Sequence, residues 1–72
     1  MVNLKNDFIT GNEPQREGKF VICLINGINF LSQTVWMMKT EDRNHFRFYC
    51  PGHGERRYAP EKIDFIIEIN QD

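Results

Sequence analysis

Four side chains of metal-ligand type occur in the chain: Cys23, His45, Cys50 and His53. Cys50 and His53 stand two residues apart, the gap that lets a knuckle present two ligands to one ion. The other two do not complete the set. Cys23 lies inside the apolar run Phe20-Val-Ile-Cys-Leu-Ile25, where a thiol packs as a small apolar group. His45 and Cys50 are at odd separation on one predicted strand, which sends them to opposite faces. The expectation is no metal and no cofactor. Cys50 as a nucleophile needs a base and a group that orients the base. His45 or His53 would supply the base and nearby arginines could lower the thiol pKa, but nothing in the sequence supplies the orienting group. Gly52-His-Gly54 lacks the spacing of a phosphate loop. Asp64 and Glu68 read as a solvated acidic edge that discourages strand-to-strand aggregation. The chain is therefore expected not to be an enzyme.

A second group of residues points to binding. Arg43, His45, Arg47, Tyr49, Arg56, Arg57 and Tyr58 interleave cations and aromatic rings over one predicted hairpin. On a strand, His45, Arg47 and Tyr49 share the face opposite Phe46 and Phe48. Arg and Tyr are enriched at protein-binding hot spots, since each brings contact area and directed hydrogen bonds. The same combination of phosphate-binding cations and stacking rings serves single-stranded nucleic acid. Trp36, with Met37 and Met38, adds a soft apolar anchor if one face of its strand is uncovered.

These residues need elements to position them. Residues 1–18 read as an arm. The stretch Thr10-Gly-Asn-Glu-Pro-Gln-Arg-Glu-Gly18 is polar and aperiodic; ahead of it Leu4, Phe8 and Ile9 suit a short strand or one helical turn docking on a core. Lys19–Ile25 is a buried-strand signal. Asn26-Gly27 predicts a tight type I′ turn, with Ile28–Leu31 returning. Thr34–Lys39 fits a strand, with Trp36 and Met38 on one face and Val35 and Met37 on the other; a short helix capped by Ser32 is the alternative. Thr40–Asn44 is a polar turn. His45–Cys50 alternates, with Phe46, Phe48 and Cys50 inward. Pro51-Gly52 suits the centre of a type II turn, and His53–Tyr58 reads as a return strand. Ala59–Ile63 suits one helical turn with Pro near its start. Asp64–Ile69 is a last strand with Phe65, Ile67 and Ile69 inward.

The ending Tyr58-Ala-Pro-Glu-Lys-Ile-Asp-Phe-Ile-Ile-Glu-Ile69 resembles that of SH3-like barrels, which close on a strand, a one-turn helix opened by proline, and a short final strand. The resemblance implies a small SH3-like barrel of about five short antiparallel strands, mostly β, spanning residues 19–70. It does not carry the peptide-binding function over, because the early chain lacks the paired tyrosines of a proline-rich-peptide groove.

Composition bounds the rest. The chain has 72 residues, 40% of them apolar and 26% charged, with formal net charge −1. Those values fit one folded domain with a small core and differ from the strongly basic balance common among nucleic-acid binders. The basic residues gather between Lys39 and Tyr58, and the acids gather from Glu61 onward. Two cysteines, no leader-like stretch and no long apolar run suit a cytoplasmic protein with reduced thiols that has no membrane partner. The expected function is a small protein-binding or regulatory module using Arg47, Tyr49, Arg56, Arg57, Tyr58 and Trp36. Nucleic-acid binding through the same hairpin is the alternative, and a homodimer through a strand edge is compatible with either. So small and motif-poor a chain suits a regulator encoded by a phage or mobile element.

Overall fold

The computed structural model describes residues 2–11 and 15–69. Its elements are helix α1 (Lys5–Thr10), strands β1 (Gln15–Leu24), β2 (Asn29–Lys39), β3 (Asn44–Cys50) and β4 (Gly54–Tyr58), a 3₁₀ turn (Pro60–Lys62) and strand β5 (Ile63–Glu68). All strand pairs are antiparallel, in the order β4-β3-β2-β1-β5. The expected barrel is not formed. The 3₁₀ turn carries the chain from one edge to the other, and β4 and β5 end as the two edges of an open sheet.

Alternation decides the faces. Phe46, Phe48 and Cys50 of β3 are buried, as are Val35 and Met37 of β2, while Trp36 and Met38 face the other way and are half-buried. Phe20, Ile22 and Leu24 of β1 complete the inner face together with Ile63 and Ile66. Thr34–Lys39 is thus strand, as favoured, but it does not stand alone. It continues Asn29–Leu31 as one strand, and an irregularity joins the two parts where residues 17–20 of β1 face residues 32–34. Phe30 and Ser32 face inward on one side of it, Val35 and Met37 on the other, so the side-chain parity flips between them. The Ser32 hydroxyl fills the gap: it donates to the Thr34 carbonyl and accepts the Thr34 N–H at 3.2 Å. The facing strand shifts register between Glu17 and Phe20. There the chain passes Gly18, where an added Cβ would sit 2.9 Å from Glu68 Oε2.

Three local expectations change. The first strand begins at Gln15 rather than Lys19. The turn after it is not type I′: only Gly27 has positive φ, and Asn26 does not. The Gly27 N–H instead closes a four-residue turn on the Leu24 carbonyl at 2.9 Å. In β5 the fully buried residues are Ile63 and Ile66; Phe65 and Ile67 are half-buried and Ile69 is 39% exposed. The register slips between Cys23 and Leu24, so Ile63 pairs with Leu24 and Phe65 with Cys23. A regular period of two does not survive that slip.

Two turns form as the sequence reads. Gly52 has φ of +82° after Pro51, and His53 N–H closes on the Cys50 carbonyl at 2.9 Å. Pro60 opens the one-turn helix before the last strand. The six-residue α1 is too short to persist alone. It is held by Phe8, 3% exposed and edge-on to Phe46 at 6.3 Å. Just before it, Leu4 N–H bonds the Ile66 carbonyl at 2.7 Å, and Ile66 N–H bonds Asn3 Oδ1 at 3.0 Å. The outer edge of β5 is therefore partly satisfied by the chain itself. No helix of the described residues is long and apolar enough to cross a membrane.

Candidate functional site

Strands β2, β3 and β4 lie side by side, and their registers align two rows of side chains. Trp36 is opposite Arg47, and Arg47 opposite Arg57; Thr34 is opposite Tyr49, and Tyr49 opposite Glu55. Residues directly across antiparallel strands share a face, here the face turned away from the core. The rows enclose a shallow pocket of about 230 Å³ lined by Thr34, Trp36, Arg47, Phe48, Tyr49 and Glu55.

Each side chain has a local reason for its place. Arg47 lies with its guanidinium carbon 4.8 Å from the Trp36 ring centroid, a cation over the electron-rich ring face. Its Nε reaches Glu55 Oε1 at 2.5 Å, and Arg57 donates to Glu55 Oε2 from Nε and Nη2, both at 3.0 Å. One carboxylate thus bridges two guanidiniums. The side chains of Arg47, Glu55 and Arg57 are 33%, 39% and 58% exposed, and ion pairs this wet add less than about 1 kcal/mol to stability. Tyr49 is 45% exposed, and its backbone N–H is anchored on Thr34 Oγ1 at 3.2 Å.

Of the six predicted residues, Trp36, Arg47, Tyr49 and Arg57 are brought together. Arg56 and Tyr58 fall on the opposite face, because Arg56 pairs with Phe48 and Tyr58 with Phe46. There Tyr58 stacks on Phe48 at 5.8 Å and flanks Phe30, and the Arg56 guanidinium lies 5.6 Å from the Phe30 centroid. The run Glu55-Arg-Arg-Tyr58 is continuous in sequence but divided by the pleat. Glu55 is not among the residues the sequence singles out; its spacing of two from Arg57 was the available sign that both share a face.

The other candidates separate in space. Cys50 is 2% exposed and points inward, and burial pushes its thiol up from the ordinary value of 9.0, with Arg56 pulling weakly the other way. His45 points outward, opposite Met38. Its Nδ1 is buried without a hydrogen-bond partner among the described residues. Among those residues no three His, Cys, Asp or Glu side chains converge as a metal site. A second opening, about 170 Å³, lies between Arg43-Asn-His45 and Arg57-Tyr-Ala59. A more apolar groove of about 430 Å³ runs past Leu31, Pro51 and Ile69.

Charge is distributed unevenly over the elements. Strands β3 and β4 carry Arg47, Arg56 and Arg57 against Glu55, whereas the 3₁₀ turn and β5 carry Glu61, Asp64 and Glu68 against Lys62. The two groups lie on different elements, but the short turn holding Glu61 follows β4 directly, and Glu17 of β1 lies opposite Thr34. No protein-family model matches the chain, and no curated protein or solved structure matches it either.

Proposed function

We propose that this protein is a non-enzymatic binding module whose ligand is single-stranded nucleic acid, held on the outer face of β2, β3 and β4. The in-register row Trp36–Arg47–Arg57, with Tyr49 beside it, carries the reading. The exposed Tyr49 ring and the half-buried Trp36 ring offer bases a stacking surface, and the nearby guanidiniums offer phosphates charge-assisted bonds. The net charge of −1 by itself favours a protein ligand over a nucleic acid; the support for nucleic acid is local, in the arginines of β3 and β4.

Trp36 is the single tryptophan, so its fluorescence reports on this face alone. Titration with a ten-nucleotide oligouridylate should quench it, with affinity falling steeply between about 50 and 200 mM salt as phosphate contacts are screened. An unchanged signal at the lowest salt would remove the reading.

Protein binding is the second reading. It is favoured by the outer side of β4, which has no strand partner among the described residues, and by exposed Leu31 beside the apolar groove. An extended segment of another chain, or a second copy, would add to that edge by backbone pairing. Such binding would be far less sensitive to salt. We propose no ligand from the SH3-like resemblance of residues 58–69.

A further inference from the structure

Glu55 holds a carboxylate between two arginines. Its two carboxylate oxygens are taken by different arginines, Oε1 by Arg47 and Oε2 by Arg57. A phosphodiester presents two free oxygens in the same way, and guanidiniums bind either anion in the same geometry. The carboxylate also forms part of the wall of the pocket that holds Trp36 and Tyr49. All three charged side chains keep contact with water, so one anion can replace the other without burying a charge.

We propose that Glu55 is a built-in competitor: it occupies the anion site of Arg47 and Arg57 until a phosphate of a bound strand displaces it. The proposal rests on the nucleic-acid reading of this face and adds its regulation. The occupied state has two consequences. Glu55 holds both arginines on the outer face, with Arg47 over Trp36, so the site is arranged before ligand arrives. It also lowers apparent affinity by the fraction of molecules in which the arginines are engaged. A tethered carboxylate competes at an effective concentration on the order of millimolar or more. Inorganic phosphate or a free mononucleotide, which brings one anion and little or no stacking surface, is therefore excluded. A strand, which adds bases on Trp36 and Tyr49 and further phosphates, is accepted. The device selects polymer over monomer.

The test compares wild type with Glu55→Gln and Glu61→Gln, titrated with the oligouridylate, with uridine monophosphate and with inorganic phosphate, all read by Trp36 fluorescence. Glu61 lies in the 3₁₀ turn and pairs with no cation among the described residues, so its variant makes the same change in net charge without releasing either arginine. Thermal unfolding checks that each variant is folded, with Glu55→Ala as the second substitution at the site. The expected result is oligouridylate binding at least fivefold tighter for Glu55→Gln, and within twofold of wild type for Glu61→Gln. The salt slope of Glu55→Gln should match that of wild type, because a phosphate occupies the two arginines in both complexes, and monophosphate binding should become measurable only in that variant. If the two Gln variants shift affinity equally, or Glu55→Gln weakens binding, the competitor role is wrong and the nucleic-acid reading stands. If the oligonucleotide leaves Trp36 unchanged in all of them at low salt, both fall.

Discussion

At the scale of single residues, the site depends on which face each cation occupies. Arg47 and Arg56 are the same residue type on adjacent strands, but Arg47 meets Trp36 and Glu55, and Arg56 meets Phe30 on the other side. Exchanging each for methionine keeps an aliphatic stem and removes the charge. Arg47→Met should weaken oligouridylate binding about tenfold and lower the salt slope by about 0.7, the value of one lost phosphate contact. Arg56→Met should leave both within twofold. Equal losses from the two variants would show that the ligand reads total charge and not a face. His45 and Cys50, which invited thoughts of metal or nucleophilic chemistry, are parted by the same pleat: the imidazole is outside and the thiol inside.

At the scale of elements, the register slip between β1 and β2 positions the tryptophan. Ser32 faces inward and Val35 faces inward, an odd spacing that an unbroken strand does not allow. The extra residue lies in β1, where residues 17–20 face residues 32–34; without that offset either the Phe30 half or the Trp36 half of β2 would turn its apolar side to water. The two Ser32–Thr34 hydrogen bonds hold the slip in place, and Ser32 is 3% exposed, so its loss leaves Thr34 groups poorly satisfied. Ser32→Ala should cost about 1–2 kcal/mol and lower the thermal midpoint by roughly 4–8 °C per kcal/mol in a domain of this size, as measured by circular dichroism. A midpoint unchanged within error would mean that the slip is held by the register of β1 and β3 alone. The one-turn helix, the Pro51-Gly52 turn and the alternation of β3 were legible because each depends on neighbours within a few residues. The register slips of β1 on β2 and of β5 on β1 were not, because each answers to a partner strand rather than to near neighbours.

At the scale of the molecule, a small core makes stability sensitive to single buried groups. Cys50 is the titratable case. Its folded thiol ionises at higher pH than the ordinary value of 9.0, so the folded state holds its proton when the unfolded chain has begun to release it. The stability this represents is complete below about pH 9 and is lost as pH rises from there through the raised value. Cys50→Ala should therefore show a shallower decline in stability above pH 9 than wild type in parallel denaturant titrations, with equal slopes between pH 6 and 8. Parallel curves over the whole range would show that the thiol is not held neutral by the fold. The same scale decides solubility and partners. One sheet edge is partly closed by Asn3 and Leu4 on Ile66, and the other, β4, is left with arginines on both of its faces.

The sequence by itself determined that the chain is mostly β, which side of β3 is buried, that Trp36 and Met38 turn away from Val35 and Met37, and where the last turns fall. Period-two alternation and turn chemistry act over a few residues and can be read there. Only the tertiary structure decided that two apolar runs form one strand across a register slip and that the sheet stays open with β4 and β5 as opposite edges. It alone divided the basic hairpin into two faces and set one carboxylate between Arg47 and Arg57. Register between strands is fixed by packing across the whole sheet, and a slip of one residue reverses every side chain beyond it.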